Sequence, residues 1–70
     1  MKVIDLHGVK HDQVAAVIHD ACSKYDTPFV VITGNSAQMK KLVAFAANKF
    51  GLGVRDTIDN PGRVVIEEKQ

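Results

Sequence analysis

Cysteine is almost missing from this chain: Cys22 stands alone among 70 residues. No internal disulfide can form, so the fold does not rely on an oxidising compartment, and Cys22 reads as a small helix residue. A zinc-like cysteine pattern is likewise excluded. Long apolar runs are missing too, and no segment approaches the roughly 20 apolar residues needed to cross a bilayer. Met1-Lys2 leads directly into a strand-like run without signal-peptide architecture. A soluble, cytoplasmic protein with no membrane partner is the expectation. An excess of one charge is also lacking. Nine Lys and Arg against eight Asp and Glu leave a formal charge of +1, too little to capture polyanions by net field, so any nucleic-acid contact must be arranged locally. The glycine spacing fits neither a P-loop nor a dinucleotide fingerprint. No repeat, low-complexity segment, charge block or linker divides the chain.

What is present suits one small globular domain over residues 1–70, with 46% hydrophobic and 24% charged residues. A chain this short has room for a single core and no separate substrate domain. From His11 to Tyr25, Val14, Val17, Ile18, Ala21, Cys22 and Tyr25 recur at helical spacing. Asp26-Thr27-Pro28 ends that helix, because proline disfavours helical backbone before it and lacks the donor needed to continue. Phe29 to Ile32 is a short continuous apolar run, as expected of a central strand buried on both faces. Met39, Leu42, Val43, Ala46 and Phe50 mark a second helical stripe, and Gly51 stands where a left-handed C-cap belongs. Val54 to Ile58 and Arg63 to Glu67 read as a hairpin around Asp59-Asn60-Pro61-Gly62.

The order is therefore β-α-β-α-β-β. Right-handed crossovers continuing in one direction place both helices on one face of the sheet, giving an α/β two-layer sandwich. Expected core residues are Val14, Val17, Ile18, Val31, Leu42, Val43, Phe50 and Val65. The other sheet face is left uncovered, open to solvent, to a protein partner or to a second copy of the chain.

Chemistry concentrates in Ile4-Asp5-Leu6-His7-Gly8. Side chains two apart on a strand share a face, so Asp5 and His7 are expected together, opposite Ile4 and Leu6. An imidazole near its unperturbed pKa can accept or donate a proton at neutral pH, and a neighbouring carboxylate can orient it. On the rival reading Asp5 is a local acceptor that ties down the loop, and His7 ends the strand. Gly8 releases the chain from it. Thr33-Gly34 at the end of the second strand should reach the same sheet edge, as a phosphate-approaching loop or as an ordinary turn. Asn35 and Ser36 lead into the second helix, whose N-terminal N–H groups and dipole favour a phosphate. Lys10 and Arg63 flank this edge, whereas His11 and His19 read as surface residues. No metal-ligand cluster is visible. A hydrated magnesium ion uses few protein ligands, so the cofactor requirement stays open.

The motif Ile4-Asp5-Leu6-His7-Gly8, followed by a helix, an apolar strand, Thr33-Gly34-Asn35-Ser36 and a second helix, resembles the small MutS-related (Smr) domain family over nearly the whole chain. That family carries a Leu-Asp-Leu-His-Gly-like motif and a later Thr-Gly-x-Gly or His-Gly-x-Gly motif. Two positions depart from it: Ile4 replaces leucine, and Ser36 stands where the second glycine belongs. Ser36 either reshapes the loop or caps the helix that follows. The resemblance implies a mixed sheet like that of the C-terminal domain of bacterial translation initiation factor three, with strand order 1-2-4-3 and an antiparallel last strand. It also implies nuclease activity on DNA or RNA, with His7 and Asp5 as the catalytic candidates. Lys40 matches a position that is usually basic in the family, so the resemblance makes it a candidate phosphate contact. A non-catalytic nucleic-acid-binding or protein-interaction module is the alternative.

Overall fold

The computed structural model describes residues 1–69. The N-terminal alternation becomes β1 (Val3–Asp5), and the apolar run after Pro28 becomes β2 (Phe29–Ile32). These strands are parallel, with Ile4 opposite Val31 and Asp5 opposite Ile32. Parallel strands need a crossover, and α1 (His11–Lys24) supplies it. After β2 come α2 (Ala37–Asn48), β3 (Leu52–Asp56) and β4 (Arg63–Glu68). The sheet order is β1-β2-β4-β3, with β4 antiparallel to both neighbours.

Burial follows the period of each element. Val14, Ile18 and Ala21 of α1 join Met39, Val43, Ala46 and Ala47 of α2 in one cluster with Leu6, Phe29, Val31, Val64 and Ile66. Phe29 lies opposite Ile66 and Val31 opposite Val64, so these four side chains share a single sheet face. Both helices therefore cover that face, as the crossover argument requires. β2 sits between β1 and β4, and Phe29, Val30 and Val31 are all buried, as expected of a central strand.

Several residues sit elsewhere than the sequence pattern places them. Val65 is buried but faces away from the helices, opposite Val30, in a row that runs from Val3 to Arg55. Val17 and Leu42 pack against the core while only partly buried. Phe50 lies past the end of α2, 43% exposed, with its ring edge-on to His19 at 5.2 Å. The helical period therefore does not extend to it, and His19 is a partly buried packing residue rather than a free surface one. β3 begins two residues before Val54 and ends at Asp56. Gly51, at φ 73°, turns the chain out of α2, and the inward alternation starts at once with Leu52 and Val54, which pack on the core. Ile58 is fully exposed in the connection. Cys22 is half-buried, and burial pushes its thiol above the ordinary range, which disfavours the reactive thiolate.

Candidate functional site

The ends of β1 and β2, the end of β3 and the start of β4 meet at one sheet edge, because β4 runs against its neighbours. The Leu6 N–H donates to the Ile32 carbonyl at 3.1 Å, which carries the β1–β2 ladder up to the residue before His7. Beyond it the chain turns. The Val9 N–H donates to the Leu6 carbonyl at 2.9 Å, and Gly8, third in this four-residue turn, has φ 80°. That is the position of a type II turn that calls for glycine.

His7 therefore lies in a turn, not on the strand face, and the expected face-sharing with Asp5 is replaced by a local bond. The His7 backbone N–H donates to Asp5 Oδ1 at 2.8 Å, the Asx-turn pattern that suits aspartate at the end of a strand. Asp5 thus fixes the backbone that carries the imidazole. Both residues are exposed.

The loop between β2 and α2 is tied to the hairpin. The N–H groups of Thr33 and Gly34 both donate to the Gly62 carbonyl at 2.9 Å. The Thr33 hydroxyl donates to the Gly34 carbonyl at 2.9 Å and, more weakly, to the Gly62 carbonyl at 3.4 Å. Thr33 is the buried polar residue of the core edge, and these bonds explain why its burial is tolerated. Gly34 has φ 67°. Asn60 Oδ1 accepts from the Gly62 N–H at 2.9 Å, and a Cβ at Gly62 would approach that oxygen to 3.2 Å. Sequence reading finds this reversal from Asn60-Pro61-Gly62. It misses that the Gly62 carbonyl occupies the two amides expected to approach a phosphate.

Ser36 resolves as a cap. It has φ −84°, an ordinary backbone angle that does not call for glycine, and its hydroxyl accepts from the Met39 N–H at 3.1 Å. Among the described residues, the N–H groups of Ala37 and Gln38 have no protein partner, so the free donors lie in the first turn of α2. Removing the cap in Ser36→Ala should cost about 1 kcal/mol of unfolding free energy. Urea unfolding checks this, and an unchanged midpoint would remove the capping role.

The basic candidates divide. Arg63 is exposed, lies in one row with Ile32 and Asp5 on the open sheet face, and takes part in no ion pair among the described residues. Lys10 is exposed and precedes α1 without a side-chain cap. Lys40 turns to Asp56, with Nζ 3.3 Å from Oδ1. The two line a cleft of about 220 Å³ with Lys41, Ala44, Val54 and Val64. The Lys40 charge is thereby partly neutralised, a partnership the sequence pattern does not reveal. A second cleft at the opposite end of the sheet is lined by Thr27, Pro28, Glu67 and Glu68, with Glu67 paired to Arg55 at 3.3 Å, so among the described residues it offers an anion no free cation of its own.

Among the described residues no group of three or more His, Cys, Asp and Glu side chains is placed to hold a metal ion. No helix is long and apolar enough to cross a membrane among them. No family model, curated protein or solved structure matches this chain.

Proposed function

We propose that this protein is a small endonuclease acting on DNA or RNA, with His7 as the proton-transfer group and Asp5 as its positioning residue. The observation that carries the reading is the placement of one exposed imidazole. It stands on a turn held by the Asp5 carboxylate, one residue past the last β1–β2 bond and beside the loop that enters α2. Asn35 and the free N–H groups at the start of α2 supply phosphate donors, while Gly8 and Gly34 leave the approach open. Lys10 and Arg63 provide flanking positive charge. The edge is an open surface rather than an enclosed pocket, which suits a polymer better than a small metabolite. The Smr-like motif pair supports the same reading.

The imidazole accepts a proton from the attacking oxygen or donates one to the leaving oxygen. With RNA the attacking group is the neighbouring 2′-hydroxyl; with DNA it is water. Cleavage of labelled DNA and RNA, each measured with added magnesium and with chelator, tests the activity and its metal requirement together.

One observation favours a second reading, a non-catalytic nucleic-acid-binding or protein-interaction module. The Asp5 carboxylate binds a backbone N–H rather than the imidazole, and the Thr33 and Gly34 amides are occupied by Gly62. On the uncovered sheet face Val3 is exposed at the end of a row with the buried Val30 and Val65, and it offers such a module a point of protein contact or self-contact. Binding without cleavage under all metal conditions selects this second reading.

Arg63→Gln should weaken nucleic-acid affinity across sequences and lower the salt slope by about one. Lys40→Gln should change the slope less, because Asp56 already partners that ammonium. Titrations over a salt series measure both. An unchanged slope in Arg63→Gln would move the contact away from this edge.

A further inference from the structure

From Thr27 to Arg55 the chain contains no Asp or Glu, yet it carries Lys40, Lys41, Lys49 and Arg55. A protein that is nearly neutral as a whole thus has an acid-free basic stretch, and α2 lies at its centre. Lys40 is occupied by Asp56. Lys41 and Lys49 are exposed and take part in no ion pair among the described residues. Midway between them, four residues from each, is Phe45, 68% exposed. Residues four apart are neighbours on a helix surface, so Lys41, Phe45 and Lys49 form one line along the outer side of α2. Lys49 Nζ lies 5.1 Å from the Phe45 ring centroid, within cation–π reach.

A single exposed phenylalanine needs no explanation by itself. Here the flanking charge supplies one. An aromatic ring flanked by two ammonium groups that have no acidic partner among the described residues matches a nucleotide that is unpaired: phosphates on either side meet Lys41 and Lys49, and the base stacks on the ring face that Lys49 leaves open. Bases inside a duplex are already stacked and cannot reach it. The other phenylalanines do not compete for this role, since Phe29 is buried and Phe50 packs on His19.

The geometry points to the outer face of α2, through Phe45 with Lys41 and Lys49, as a stacking platform for single-stranded nucleic acid. Phe45 lies eight residues past Ala37, about 12 Å along the helix axis from the strand-tip edge. The inference rests on the nucleic-acid part of the proposed function and not on its catalytic part.

Anisotropy titrations with a short fluorescein-labelled oligouridine, and with a duplex of the same length, test the platform. Phe45→Ala should weaken oligouridine binding roughly 5- to 150-fold and leave duplex binding unchanged, while Phe45→Trp retains affinity. The double variant Lys41→Gln with Lys49→Gln should lower the single-strand salt slope by about 1.4. All these positions are exposed, and circular dichroism confirms folding. Unchanged oligouridine affinity in Phe45→Ala overturns the platform, as does an equal loss on the duplex. Absence of oligouridine binding by the wild type, with Phe45-dependent binding to phosphatidylserine vesicles, also overturns it and assigns the face to a membrane surface. Phe45-dependent binding without cleavage supports the platform and removes the catalytic reading alone. His7-dependent cleavage with Phe45-independent binding does the reverse.

Discussion

His7→Ala should reduce nucleic-acid cleavage by about 10²- to 10⁴-fold, the range contributed by a positioned general acid or base. The fold should survive. The residue is exposed, its backbone N–H is retained by alanine, and its side chain has no hydrogen-bond partner among the described residues. A stability change within about 0.5 kcal/mol is expected for such a surface site. Two substitutions at Asp5 then separate positioning from charge. In Asp5→Asn the amide oxygen can still accept the His7 N–H, so the turn is kept while the charge is lost. In Asp5→Ala the turn loses its tie. If Asp5 acts through the backbone, Asp5→Asn keeps most activity and Asp5→Ala loses more, with binding affinity unchanged in both. Equal losses would instead assign the carboxylate an electrostatic role toward the imidazole. Cleavage by folded His7→Ala at the wild-type rate would remove His7 from the chemistry.

Phe29→Ala should destabilise the protein by about 3–5 kcal/mol, through lost transfer energy and the cavity left behind. The ring is fully buried in the central strand, opposite Ile66 and edge-on to Tyr25 with centroids 6.4 Å apart. A 70-residue domain is expected to hold only about 4–10 kcal/mol in total. The variant should therefore be partly or largely unfolded at room temperature. Urea titration followed by circular dichroism measures the shift. A loss below about 1 kcal/mol would mean that the site collapses around the missing ring. Leu42→Ala should cost less, since Leu42 is only partly buried at the margin of the core.

The elements were legible wherever local chemistry decides them. Pro28 and the helical stripes delimit α1, β2 and α2, and Gly51 ends the second helix with the positive φ its position suggests. Periodicity failed where it continued past a boundary, at Phe50, and where a glycine masked an inward alternation, at Leu52 to Val54. A stripe shows which residues share a side of an element; it does not show where the element stops.

The candidate site divides along the same line. Its members were visible in sequence because Asp, His, Gly, Thr, Asn and Ser cluster after strand-like runs, and the topology sends those runs to one edge. Their partners were not visible. The Gly62 carbonyl that takes the Thr33 and Gly34 amides is 29 and 28 residues away, and Lys40 meets Asp56 across sixteen. Such bonds depend on sheet register, which no local pattern states. By itself the sequence determined the α/β order, the core faces and the residues able to carry chemistry, because backbone preference and hydrophobic period act over a few residues. Only the tertiary structure decided that Asp5 holds a backbone amide, that Ser36 caps α2 and that Lys40 is ion-paired while Lys41 and Lys49 have no acidic partner among the described residues. A side chain with several possible partners is settled by what folding brings within hydrogen-bond reach.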